Sequence, residues 1–151
     1  MKVVLTILLF FATLQAAKVE IHSNRFEADQ GEMVTKFFGN VEFRKGNDFI
    51  YADRAFIYFD KKKKPIKFDL IGSVRFDITK DAKRYKGHAQ EILYYPRKKS
   101  YIFTGNVYIE QLPDHRKIYA QKVVLHLKGG ELTVEGSEKK PVKMIFDIEE
   151  K

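Results

Sequence analysis

The pentapeptide Gly39-Asn40-Val41-Glu42-Phe43 recurs twice, as Gly72-Ser73-Val74-Arg75-Phe76 and as Gly105-Asn106-Val107-Tyr108-Ile109. The two spacings are equal, because 72 − 39 and 105 − 72 are both 33. Within each copy, apolar and polar residues alternate with period two, which predicts a strand with one apolar face. The leading glycine permits a bulge or a tight turn. Repetition at a fixed period of 33 residues predicts one supersecondary unit stacked several times.

The chain after residue 17 continues this alternation, and short apolar-patterned runs are separated by turn signals. Lys45-Gly46-Asn47-Asp48 predicts a hairpin, and Gly136-Ser137 resembles a weakened fourth copy of the repeat. No run keeps a 3.6-residue apolar stripe. We therefore predict a single all-β domain over residues 18–151, built as an antiparallel sandwich, jelly roll or barrel of short strands. Alternation predicts a last strand with these apolar positions: Val142, Met144, Phe146 and Ile148.

The N-terminus has the pattern of a secretory signal peptide over residues 1–17. A basic start at Met1-Lys2 precedes an apolar run over Val3–Leu14 and the small residues Ala16 and Ala17. A membrane-spanning helix needs about 20 apolar residues, which is longer than this run. We expect cleavage after Ala16 or Ala17 and export to an extracytoplasmic compartment, for which the cell envelope of a bacterium is suited. An uncleaved membrane anchor is the alternative.

Composition restricts the partners of the domain. The chain has 28 basic and 20 acidic residues and no cysteine, so the domain depends on its own core and favours an anionic partner. Basic residues cluster in the connections and predict a basic rim around the ends of the strands. The export signal argues against nucleic acid as the partner. The clusters are Lys61–Lys64, Lys80 with Lys83 and Arg84, Arg97–Lys99, Arg116-Lys117, and Lys139-Lys140.

The sequence contains no catalytic, metal-binding or cofactor-binding signature. His22, His88, His115 and His126 lie far apart, with no partner at the spacing of metal ligands. There is no nucleophile elbow, no cysteine nucleophile and no phosphate-binding glycine loop. We therefore predict that the protein is not an enzyme and holds neither metal nor cofactor.

Each copy of the repeat is followed, after a turn, by a strand that runs back beside it, here called a return strand. Several return strands are apolar on both faces. Ala55, Ile57 and Phe59 interleave with Phe56 and Tyr58, and Val123 and Leu125 flank Val124. Three interpretations stay open: both faces of these strands are covered, an interior is held open for an apolar ligand, or the core is simply well filled.

Five short motifs, taken in order, resemble the OstA-like proteins of lipopolysaccharide transport. The resemblance covers residues 18 to about 146, and the motifs are Val19–Ser23, Phe38–Val41, Ile50–Asp53, Gly87–Ala89 and Thr104–Val107. It departs at Tyr119-Ala120-Gln121, where Ala-Asp is expected.

The resemblance implies a twisted, V-shaped antiparallel β-jelly roll that is open at both ends and stacks end to end. Acyl chains of lipopolysaccharide (the lipid A part) are then held inside, while the phosphorylated sugar stays outside. The implied partners are other copies of the chain and the inner- and outer-membrane components of lipopolysaccharide transport with related folds. Two alternatives remain: a membrane-anchored relative with the same fold, and an adaptor domain that binds an anionic polymer but no lipid.

Strand phase and the family motifs together predict the residues of the groove and of the self-assembly edges. The predicted groove lining is Val19, Ile21, Phe37, Val41, Phe43, Ala55, Ile57, Phe59, Val74, Phe76, Ile78, Ile92, Tyr94, Val107, Ile109, Val123, Leu125 and Leu127. The predicted edges are Val19 and Ile21 at the start of the domain, and Val142, Met144 and Phe146 at its end.

Overall fold

The computed structural model describes residues 20–29, 31–80, 82–126 and 128–149, without the side chain of Lys80. The expected signal peptide and the predicted groove residues Val19 and Leu127 lie outside the described residues. In the described part of the chain, no helix has the length and apolarity needed to cross a membrane. The strands are β1 (Glu20–His22), β2 (Arg25–Asp29), β3 (Val34–Lys45), β4 (Asp48–Phe59), β5 (Pro65–Lys80), β6 (Lys83–Tyr95), β7 (Ser100–Leu112), β8 (Arg116–His126), β9 (Leu132–Glu135) and β10 (Lys143–Ile145).

All ten strands belong to one antiparallel sheet with the order β1-β3-β4-β5-β6-β7-β8-β10. The two ends of the sheet are built alike. The outer edge of β3 pairs with both β1 and β2, and the outer edge of β8 pairs with both β9 and β10. The predicted all-β antiparallel fold is confirmed.

A line of bulges crosses the sheet at the three copies of the repeat. Between the pairs Phe38–Arg54 and Val41–Ala52, β3 advances three residues while β4 advances two, so Gly39-Asn40 contains one extra residue. The same shift occurs at Gly72-Ser73 in β5 and at Gly105-Asn106 in β7. Both residues of each dipeptide have positive φ, which glycine tolerates and which Asn adopts more readily than most residues.

The sheet folds on itself along this line. The rings of Phe37 and Phe43 lie 6.3 Å apart, although six residues of straight strand would separate them by about 20 Å. Each long strand is therefore shared between two facing layers. The A layer comprises 20–22, 41–52, 74–80, 83–89, 107–120 and 143–145, and the B layer comprises 25–29, 34–38, 54–71, 91–104, 122–126 and 132–135.

The repeated valines form the centre of the core. Val41 and Val74 are 0% exposed and Val107 is 2% exposed, and each lies opposite a buried alanine on the next strand. Small alanines at these positions leave room for the valines where the two layers meet. The alanines are Ala52, Ala89 and Ala120.

Three details differ from the sequence prediction. The strands β3 to β8 are long and bent rather than short, because a bulge turns the chain without ending its pairing. Arg25–Asp29, which is exposed and largely charged, forms the unpredicted strand β2. The last strand is only Lys143–Ile145, and Phe146 and Ile148 lie exposed beyond it.

The weakened fourth repeat does not form a bulge. Ser137 N–H donates to the Lys140 carbonyl at 2.8 Å, so residues 137–140 make a tight turn. β9 and β10 lie on either side of this turn, and both pair with β8. The repeat thus ends in a loop at the position along β8 where the earlier copies bend.

Candidate functional site: an apolar cavity between the layers

A cavity of about 670 Å³ lies between the A and B layers. Its walls come from β4 to β10, and both layers contribute aromatic and aliphatic side chains. No lining residue comes from β1, β2 or β3 in the described part of the chain. The cavity therefore occupies the C-terminal part of the fold.

The predicted groove residues divide into two groups. One group lines the cavity and the other fills the solid core beside it. Those that line the cavity are Phe76, Ile78, Ile92, Tyr94, Ile109, Val123 and Leu125. Those that are buried in the core without lining the cavity are Phe37, Val41, Phe43, Ala55, Ile57, Phe59, Val74 and Val107. Ile21 is half-buried and packs against the core.

Sequence reasoning missed 13 of the 20 lining residues of the cavity. They are the apolar Ile50, Phe68, Leu70, Tyr85, Tyr101, Phe103, Ile118, Leu132 and Met144, together with Gln111, Arg116, His126 and Gly130. Part of the reason is a change of phase in the return strands: Ala52 and Ala55 are both buried, with Asp53 and Arg54 exposed between them. The same three-residue step separates Ala89 from Ile92 and Ala120 from Val123. In each return strand, two consecutive polar residues lie between the two buried ones. These polar pairs are a sequence signal that could have revealed the change of phase.

Phenylalanine rings fill the N-terminal end of the interior, beside the cavity. Phe26 stacks on Phe37 with centroids 6.0 Å apart, and Phe37 contacts Phe43. The opposite end reaches the last strand, where Met144 lines the cavity and is still 55% exposed. The interior is thus filled towards β1, and the cavity opens towards β10.

Two tyrosines form part of the wall. Tyr94 and Tyr101 stack with centroids 4.2 Å apart and planes at 29°, and Phe68 packs against Tyr94. Burial raises the pKa of Tyr101, and the charge of Tyr94 raises it further. The Tyr101 phenol is therefore neutral at physiological pH. The part of the cavity wall that Tyr101 forms is thus uncharged, and it is apolar apart from the hydroxyl.

Polar side chains lie at the ends of β7 and β8. Gln111 and Arg116 are cross-strand neighbours beside the β7–β8 turn, and both line the cavity. Gln111 Nε2 donates to Asp114 Oδ2 at 3.1 Å. At the other end of these strands, His126 Nδ1 and Ser100 Oγ form a hydrogen bond of 2.8 Å.

Four of the five basic clusters lie at the outer ends of the two layers, whereas Lys139-Lys140 lies in the turn at the bend. Asp60 orders the turn of four lysines, because its Oδ1 accepts from the backbone N–H groups of Lys62 and Lys64 at 2.8 and 3.0 Å. These bonds hold the pKa of Asp60 below its ordinary value, with Arg97 adding to the effect. The Asp60–Arg97 ion pair links this turn to the next basic turn.

The histidines serve as polar contacts far from one another. Among residues 20–149 as described, no group of three or more His, Asp and Glu side chains is placed to hold a metal ion. His22 lies 3.3 Å from Glu20, and His115 lies 3.6 Å from Glu110.

Comparison with known proteins identifies the family. The family model described as LptA/(LptD N-terminal domain) LPS transport protein matches residues 20–131. A comparison with curated proteins finds no significant match. The fold is similar to the crystal structure of LptH, the LptA-homologous periplasmic component of the lipopolysaccharide transport device of Pseudomonas aeruginosa. That match has a TM-score of 0.72 and 13% identity, and it covers 86% of this chain and 95% of LptH.

The family model spans both layers from β1 through β8, including all three copies of the repeat and most of the cavity wall. The family consists of transport proteins rather than enzymes. On this match, the chain belongs to the LptA/(LptD N-terminal domain) family of lipopolysaccharide transport proteins.

Proposed function

We propose that the protein is a periplasmic transport protein that binds lipopolysaccharide, shields its acyl chains in the cavity, and bridges the inner and outer membranes by end-to-end stacking. The cavity carries this proposal. Its walls are almost wholly apolar, and burial of apolar chains against such walls is favourable in proportion to the area removed from water.

The size of the cavity indicates which part of the lipid enters it and which part stays outside. A volume of about 670 Å³ is in the range of sites for small ligands. This favours entry of acyl chains, with the sugar left outside. The basic turns at the B-layer ends of the long strands, such as Lys61–Lys64 and Arg97–Lys99, would attract its phosphates.

Strand direction supports stacking. Directions alternate through the sheet, so β1 and β10 run in opposite senses, as do β2 and β9. Copies stacked head to tail in one orientation therefore bring β10 of one against β1 of the next in antiparallel pairing, which is a common mode of strand addition. Exposed apolar side chains mark both ends: Phe26 at 56%, Met144 at 55% and Phe146 at 54%. The same edges would serve inner- and outer-membrane partners with related folds.

Native mass spectrometry of the protein, purified from its own envelope after cleavage following Ala16 or Ala17, tests the proposal. We expect bound lipopolysaccharide and a ladder of oligomers. Ile109→Glu, which places a charge in the cavity wall, should abolish lipid loading. Ile102→Glu is the matched control on the same strand, since Ile102 is half-buried and does not line the cavity. Lipid retained by a folded Ile109→Glu variant would refute binding in the cavity.

The basic turns also support the second candidate, an adaptor that binds an anionic polymer without lipid. Salt distinguishes the two, because it screens exposed charges but leaves buried acyl contacts largely intact. Loss of all ligand at high salt would favour the adaptor. A mature N-terminus that retains residues 3–14 would instead favour the membrane-anchored relative.

A further inference from the structure

We propose that Arg116 is a head-group site of the cavity and that its guanidinium holds the anionic group of an amphiphile whose acyl chain lies between the layers. The proposal rests on the proposed binding of acyl chains in the cavity. It adds the chemical class of the head group, which is a phosphate or a carboxylate, and the residue that recognises it.

The phase of β8 directs Arg116 inwards. Side chains alternate between the faces of a strand, and Ala120 and Ile118 are respectively buried and part of the cavity wall. Arg116, two residues before Ile118, is on the same face and lines the cavity itself. The inner face of β8 is thus apolar along its length until it reaches a permanent cation at the mouth.

The charge of Arg116 is not used within the described part of the chain. No carboxylate there forms an ion pair with it, whereas Arg84 Nε donates to Asp77 Oδ1 at 2.7 Å and Arg97 pairs with Asp60. The neighbouring Asp114 instead accepts the hydrogen bond from Gln111. Arg116 is also exposed, so a ligand can reach it from the mouth of the cavity.

The chemistry of the guanidinium defines the ligand class. Its planar set of donors matches two oxygens of a phosphate or a carboxylate, and such charge-assisted bonds are stronger than neutral ones. A neutral hydroxyl head gains much less from the same group. Arg116 should therefore discriminate among amphiphiles by head group, while the apolar walls respond to the chain.

The test uses three amphiphiles with the same acyl chain and different heads: lysophosphatidic acid, a fatty acid and a monoacylglycerol. Their affinities are measured by displacement of a fluorescent lipid from the wild-type protein and from two variants that each lose one positive charge. Arg116→Gln removes the proposed site. Lys122→Gln changes another basic residue of β8, which is exposed, belongs to none of the basic clusters and does not line the cavity.

We expect Arg116→Gln to weaken lysophosphatidic acid about tenfold or more, to weaken the fatty acid by a smaller factor, and to leave the monoacylglycerol within about twofold. Lys122→Gln should leave all three nearly unchanged. A larger loss for the fatty acid would identify a carboxylate rather than a phosphate as the preferred group. Equal losses for charged and neutral heads, or equal effects of the two variants, would overturn the head-group site alone. Failure of all three to bind the wild-type protein would overturn acyl binding as well.

Discussion

The rings of Phe76 and Phe103 are in contact, with centroids 5.6 Å apart and planes at 50°, although β6 lies between their strands. Phe76 follows the bulge of β5 and so belongs to the A layer, whereas Phe103 precedes the bulge of β7 and belongs to the B layer. The contact therefore joins the two layers. Both rings also line the cavity, so the same pair stabilises the fold and shapes the wall.

Removing either ring should destabilise the protein. We expect Phe76→Ala or Phe103→Ala to lower the free energy of unfolding by about 3 kcal/mol, because each deletes a buried aromatic side chain. Their double-mutant cycle should give a coupling of about 1 kcal/mol, the size found for aromatic pairs. Urea unfolding of the four proteins measures both quantities. Strict additivity would show that the layers do not meet through this pair.

The bulge at Gly72 should tolerate no side chain. Its φ is +89°, and a Cβ there would lie 2.8 Å from the Cβ of Asp53. We expect Gly72→Ala to cost about 2 to 3 kcal/mol of stability, from strained backbone and from the clash. Gly129→Ala is the control, because Gly129 has φ +93° but no atom within 4 Å of its added Cβ. Equal destabilisation of the two variants would assign the whole cost to the backbone.

The repeated pentapeptide predicts the positions of the bulges and of the buried valines, because glycine spacing and alternation are local properties. In β5 and β7 the predicted groove residues all follow the bend, and the prediction omits Phe68 and Phe103 before it, although both line the cavity. In the return strands the phase changes by one residue, so the predicted Ile92 and Val123 after the bend line the cavity, as do Tyr85 and Ile118 before it, which the prediction omits. That change depends on the pairing of neighbouring strands and is not visible in one strand alone.

The division of the interior into solid core and open cavity could not be predicted either. Phe43 and Phe76 occupy the same position in two copies of the repeat, yet only Phe76 lines the cavity. The difference comes from the position of each strand in the sheet. Phe43 packs against Phe37 near the end of the sheet at which β1 and β2 lie, and the repeat pattern contains no information about that position.

The stability of the protein should fall as pH rises, through Asp69. Asp69 lies between Phe56 and Leu93 of the neighbouring strands, and its Oδ1 is buried without a hydrogen-bond partner in the described structure. Burial, and then the hydrogen bond and charge of Glu91, raise its pKa from 3.8 to about 7. The folded state thus binds more protons than the unfolded state between about pH 4 and 7, and stability is lost across this window as pH increases.

Asp69→Asn should remove this dependence. We expect the variant to exceed the wild type by about 1 to 2 kcal/mol at pH 8, after allowance for the partial exposure of the carboxyl, and to match it near pH 4. Urea unfolding at the two pH values measures the difference. Asp77→Asn is a control of opposite sign, since the hydrogen bond from Arg84 lowers the pKa of Asp77, and its contribution is lost only as pH falls. A wild-type stability that is constant between pH 5 and 8 would exclude the raised pKa of Asp69.

Self-association should depend on the exposed face of β10. Met144 is 55% exposed on a strand with one free edge in the described structure, and its side chain reaches the open end of the cavity. Met144→Lys places a charge where the next copy would bury an apolar side chain, so we expect the association constant to fall at least tenfold while the monomer stays folded. Ile148→Lys is the matched control, because Ile148 is 71% exposed and lies beyond the last strand. Sedimentation velocity over a concentration series measures both variants. If the two reduce association equally, the C-terminal tail drives assembly through general hydrophobicity, and extension of the sheet from β10 is wrong.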